Sequence, residues 1–202
     1  MLRLDHLVVS GETLEAASAA VEEALGVPLQ PGGAHDVFFT HNRLLGLADG
    51  LYLEAIAINP AAPVPDRPRW YDLDRFHGAP RLSNWACACD DLEAARTMVP
   101  DGTGAPVSIQ RGDLRWRMAV PETGILPYDN ISPGLLQWQG DLHPAAMLRD
   151  QGCALRRLVV SHPQAAALAA VLRLQEPMVV FEPGPAGLLA EIDTPHGLRL
   201  LR

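Results

Sequence analysis

The sequence predicts an α+β fold built from repeated β-α-β-β-β modules, and three observations carry that prediction. The order strand, helix, then three strands is readable near the start of the chain and again after residue 154. The tetrad Leu7-Val8-Val9-Ser10 recurs as Leu158-Val159-Val160-Ser161, each followed by an Ala-rich helical stretch at similar spacing. Both copies close on a hairpin, Leu44–Ile58 with Gly50 at the turn and Leu188–Leu201 with Gly197 at the turn. A local match that agrees with the order of elements marks a supersecondary repeat. So few copies point to paired modules rather than a solenoid.

The elements follow in order. Residues 2–9 alternate and then run apolar, which reads as a strand. From Thr13 to Leu25 the apolar residues recur at helical spacing, with Thr13 as cap and Gly26 as stop. Pro31-Gly32-Gly33 reads as a turn, followed by strands around 37–47 and 51–58. Residues 59–80 break the rhythm, with four prolines between Asn59 and Arg69, and read as an irregular connection. The pattern then resumes with a strand through Trp85–Cys89, a short helix over 91–99, and strands at 107–111, 114–120 and 135–139. The third copy supplies a strand at 155–160, a helix at 164–174, and strands near 177–182, 187–193 and 198–201. The expected organisation is one domain over 1–144, made of modules 1–60 and 81–144 joined by the Pro-rich connection 61–80. A third module at 153–202 packs on the same unit.

Composition narrows the function. The chain has 202 residues, of which 48% are hydrophobic and 20% charged, as in ordinary globular proteins. Its 24 acidic and 16 basic residues leave a net charge of −8, with no bulk field for nucleic acid or anionic lipid. Every basic residue is Arg, so lysine Schiff-base chemistry is excluded. No apolar run approaches the roughly 18 residues of a membrane span, and the alternating pattern from the first residues carries the expectation of no signal peptide. Three cysteines, two of them alternating in an apolar stretch, fit a reduced, cytoplasmic protein.

The blocks Leu4-Asp5-His6-Leu7-Val8-Val9, Pro31-Gly32-Gly33-Ala34-His35, Thr40-His41-Asn42-Arg43 and Gly50-Leu51-Tyr52-Leu53-Glu54 resemble the vicinal oxygen chelate superfamily. More narrowly, they resemble the glyoxalase-like domain proteins, as do the weaker stretches Leu114–Arg117 and Leu135–Trp138. The resemblance implies curved sheets around a concave cup, as in glyoxalase and dihydroxybiphenyl dioxygenase. It implies a divalent metal (Zn, Fe, Mn or Ni) held by first and last strands, here by His6 and Glu54, with Glu54 also catalytic. On spacing alone, His6 reads more readily as a core histidine and Glu54 as a rim carboxylate; the resemblance brings the ligand reading level with it. The equivalent strands of the second module carry Trp85, Gln137 and Trp138, and indole is no metal ligand. Either His35, His41 or His143 completes the set, or the cup binds an organic ligand without metal.

Further candidates line the expected cup. His35, His41 and Asn42 lie close in sequence to the first-module pair. Alternation puts Arg115 and Arg117 on one strand face and Trp116 on the other, and the arginine face suits an anionic substrate. Tyr128 sits in a long Pro-rich loop with the length of a lid. The expected activity is a metal-dependent lyase, isomerase or dioxygenase acting on a small carbonyl or enolate substrate. The alternative is a metal-free protein that sequesters a small molecule. The odd module left over makes a homodimer an expectation as well.

Overall fold

The computed structural model describes residues 1–202 as two sheets and four helices. The strands are β1 (Arg3–Ser10), β2 (Gln30–His35), β3 (Thr40–Gly46), β4 (Tyr52–Ile58), β5 (Arg81–Ala88), β6 (Ala105–Arg111), β7 (Leu114–Val120) and β8 (Gly134–Gln139), then β9 (Ala154–Ser161), β10 (Val179–Glu182), β11 (Gly187–Thr194) and β12 (Gly197–Leu201). The helices are α1 (Leu14–Leu25), α2 (Leu92–Arg96), α3 (Pro144–Met147) and α4 (Ala165–Leu172). No helix is long and apolar enough to cross a membrane.

The first sheet runs β2-β3-β4-β1-β5-β8-β7-β6. Each half repeats one topology: its first strand lies parallel to its last, β1 on β4 and β5 on β8, and the rest is antiparallel. The halves join through antiparallel β1 and β5, with His6 opposite Ala86. The sheet curls until its edges β2 and β6 approach each other without pairing. The second sheet keeps the predicted order of elements but not the pairing. Its strands lie as β10-β9-β11-β12, so the opening strand sits inside the sheet.

Local chemistry explains the elements. Thr13 accepts the Ala16 N–H at the start of α1, and Gly26, at φ 73°, ends it. The expected turn at Pro31-Gly32-Gly33 is instead part of β2. A proline and two glycines are tolerated there because β2 is an edge strand, with a bulge between Pro31 and Ala34.

Burial divides the molecule into two cores. Leu7, Val9, Leu53 and Trp85 belong to a core of 34 buried residues between the convex face, α1 and the second sheet. Val8, Ile56, Trp116 and Leu136 belong to a separate core of 14 inside the cup. The irregular connection 59–80 contributes to that inner core, because a 3-10 turn at Trp70–Arg75 inserts Trp70, Tyr71 and Leu73.

Candidate functional site

The two-residue period of a strand decides which side chains enter the cup. β1 presents His6, β4 presents Tyr52 and Glu54, β3 presents Asn42, and β2 presents His35. From the second module come Arg111, Trp116, Met118, Leu136 and Trp138. Together with Trp70 and Tyr71 they enclose one pocket. About 350 Å³ lies between them, but only about 20 Å³ admits the centre of a water molecule, room for roughly one water.

Glu54 is the hub. Its Oε1 accepts a hydrogen bond from Asn42 Nδ2 at 2.5 Å and lies 3.9 Å from His35 Nε2. Its Oε2 faces His6 Nε2 at 3.7 Å, too far for a hydrogen bond. Asn42 is saturated. Its Oδ1 accepts from the Gly33 N–H at 2.8 Å and from Arg111 Nη1 at 2.7 Å, which fixes the amide orientation. A Cβ at Gly32 would fall 2.0 Å from that same oxygen, and one at Gly33 would fall 2.9 Å from Arg111 Cδ. The paired glycines therefore clear space for two side chains of the site.

His6 is held from behind. Its Nδ1 meets Asp5 Oδ1 at 2.6 Å, and its ring stacks on Tyr52 at 4.5 Å. Neighbours on a regular strand point to opposite faces, but a bulge between Leu4 and His6 breaks the alternation. Asp5 Oδ2 accepts from Trp138 Nε1 at 2.8 Å and lies 3.1 Å from His143 Nε2. Burial pushes the Asp5 carboxyl up, but hydrogen bonds from His143, His6 and Trp138 outweigh it and hold it well below the usual range. Asp5 is therefore an ionised partner that keeps the proton on His6 Nδ1 and leaves Nε2 facing the pocket. Burial, with Arg111, His41 and His6 nearby, pulls His35 down to about 3. His35 is a neutral imidazole, with Nδ1 2.9 Å from Thr40 Oγ1.

The glyoxalase-like domain family profile matches residues 4–175. The chain belongs to that family. A crystal structure of a hypothetical protein from Staphylococcus aureus superposes with a TM-score of 0.58 at 15% identity, covering 84% of this chain and 73% of that one. At that identity the likeness is one of fold. Two methylmalonyl-CoA epimerases give lower scores. The Mycobacterium tuberculosis structure has a TM-score of 0.42 at 18% identity, covering 69% of this chain and 88% of its own. The Streptomyces coelicolor structure has 0.43 at 16%, covering 68% and 98%. No curated protein matches the chain.

Six residues singled out in the sequence meet in the glyoxalase-like cup: His6, His35, Asn42, Glu54, Trp116 and Trp138. Five do not. Trp85 lies on the convex face, fully buried, donating to the Ile131 carbonyl and packing near Phe181. The cup-facing residue beside it is Ala86, opposite His6. Gln137 also points out of the cup, where it bonds the Asp90 carbonyl and the Leu92 N–H. Arg115 is exposed on the outer face, donating to the Asp113 carbonyl. His41 alternates away from Asn42, and burial lowers its affinity for a proton. Tyr128 packs on the outer core against His162 and covers nothing in the pocket. Sequence reasoning missed Asp5, Arg111, Trp70 and Tyr71, while His143, offered there as a loop ligand, instead lies 3.1 Å from Asp5 Oδ2 behind His6. Arg111 shares the inward face of β6 with Ile109, which alternation alone would have supplied.

The residues present do not fit a protein-held metal. No group of three or more His, Cys, Asp or Glu side chains is placed to hold one. Asn42 Nδ2 donates to Glu54 Oε1 and sits 3.4 Å from His35 Nε2, so those lone pairs are already turned to an amide. His6 Nε2 and Glu54 Oε2 remain, two donors where catalytic sites use about three. The facing positions of the second module are carbon and indole.

Proposed function

We propose that this glyoxalase-like protein is an acid–base enzyme that moves a proton at the carbon next to a carbonyl group in a small, flat substrate. The observation that carries the reading is Glu54 Oε2, which has no hydrogen-bond donor among the side chains and faces His6 Nε2 at 3.7 Å in a buried, aromatic pocket. Glu54 takes the proton from carbon. The electron pair left behind becomes an enolate, whose oxygen takes a proton or hydrogen bond from His6 Nε2. Asp5 holds the ring at Nδ1 and balances positive charge that develops on it, as a carboxylate supports histidine in other proton-transfer sites. Asn42 fixes the Glu54 carboxylate. Trp116 and Trp138, with rings 5.3 Å apart, supply walls for a planar molecule. Isomerisation and elimination both begin with this step.

The test is exchange of carbon-bound hydrogen with solvent deuterium, followed by NMR, over a panel of small 2-oxo acids and their esters. The expected result is accelerated exchange for at least one member, with Glu54→Gln slowing it by about 10²–10⁴-fold, the usual worth of a general base. Saturable binding with no exchange in any member would replace this reading with sequestration, which the closed aromatic pocket also favours.

A further inference from the structure

The glyoxalase-like pocket is nearly closed, so any substrate must enter by displacing part of its wall. β2 and β6 form the seam where the two edges of the curled sheet approach, and no ladder hydrogen bonds join them. Opening that seam breaks no sheet. Two open clefts, each with about 570 Å³ of space, flank it, and Arg111 is the residue that lines both clefts and the inner pocket. Its stem lies over Gly33, and its guanidinium reaches through to Asn42 Oδ1 at 2.7 Å. Gly112 follows at φ 58° with open space around its Cα.

Arg111 is also the one arginine among the pocket residues, and no carboxylate lies within 4.0 Å of it to form an ion pair. The outer cleft adds Arg115, with Asp36 as the opposing charge. A guanidinium held only by a neutral amide oxygen has donors to spare for a carboxylate, which it binds in bidentate fashion. On a chain of net charge −8 it is also a local positive target for an incoming anion.

We propose that Arg111 is the latch of the β2–β6 seam and the anchor for a substrate carboxylate. In the closed state it rests on Asn42. An entering carboxylate takes its place on the guanidinium, and the substrate's carbonyl end reaches Glu54 and His6. The substrate class narrows to small carbonyl compounds that carry a carboxylate. This rests on the proton-transfer reading only for what happens at the inner end, since anion recognition needs Arg111 alone.

Phenylpyruvate and its methyl ester form the probe pair, titrated against the quenching of tryptophan fluorescence from Trp70, Trp116 and Trp138. The intact protein is expected to bind the carboxylate at least tenfold more tightly than the ester, with the gap shrinking as salt is added. Arg111→Gln keeps a polar side chain on the seam but loses the charge, and is expected to bind both probes equally. Arg111→Lys keeps the charge without the fork and is expected to recover part of the preference. Equal binding of the two probes by the intact protein, a preference that survives in Arg111→Gln, or no saturable quenching by either probe would each overturn the assignment. Anion preference without deuterium exchange leaves Arg111 in place and removes the proton-transfer reading; exchange without anion preference does the reverse.

Discussion

His35 shows how one buried ring sets a pH limit on the molecule. It is fully enclosed, and burial, with Arg111, His41 and His6 nearby, pulls its proton affinity down to about 3, against about 6.5 in an unfolded chain. Below about 6.5 the unfolded chain binds a proton that the folded one refuses, so this contribution falls as pH drops from there toward 3. The loss amounts to about 2 kcal/mol at pH 5. In His35→Gln that part of the acid sensitivity should vanish, as read from urea midpoints at pH 7 and pH 5. Equal losses in both proteins would place the ring in a polar setting instead. At this scale the sequence was legible where the two-residue period holds: Glu54, Asn42 and His6 enter the cup as alternation and resemblance require. Asp5 escaped because a bulge turns it against that period, and a bulge leaves no mark in the residue pattern.

Among the elements, β2 departs most from its sequence signal. Proline and two glycines mark a turn wherever the neighbours are unknown. Here they form an edge strand whose missing side chains make room for Asn42 and Arg111. Gly32→Ala would set a methyl group 2.0 Å from Asn42 Oδ1 and 2.5 Å from the Asn42 carbonyl oxygen, a backbone atom that cannot swing aside. Expected are a destabilisation of about 1–3 kcal/mol and a matching loss of deuterium exchange as Asn42 releases Glu54. An unchanged melting midpoint with full exchange would show that β2 has slack there. The strands β4, β7 and β8 were legible because each alternates between two cores. The 3-10 turn carrying Trp70 and Tyr71 was not, because a Pro-rich connection has no period to betray which of its residues turn inward.

At the scale of the whole molecule, the two modules share a topology but divide the chemistry. The first brings His6, His35, Asn42 and Glu54; the second brings Arg111 and an aromatic wall. The second sheet adds nothing to the pocket and instead completes the outer core, where Leu158, Ile192 and Leu201 join Leu7 and Trp85 in one cluster. Element order made the third segment look like another copy, and the pairing of β9 inside its sheet could not be read from order alone. The half-site of the first module, His6 and Glu54, meets no matching ligand pair across the cup, because the second module faces it with Ala86, Leu136 and Trp138. The measurement that bears most directly on proton transfer by Glu54 and His6 is deuterium exchange in protein treated with a chelator, with and without added Zn, Mn, Fe or Ni. The account predicts the same exchange rate in stripped and metal-supplemented protein, and its loss in Glu54→Gln under both conditions. Exchange that stops on chelation and returns with one metal, together with loss of that metal in His6→Ala, would contradict it.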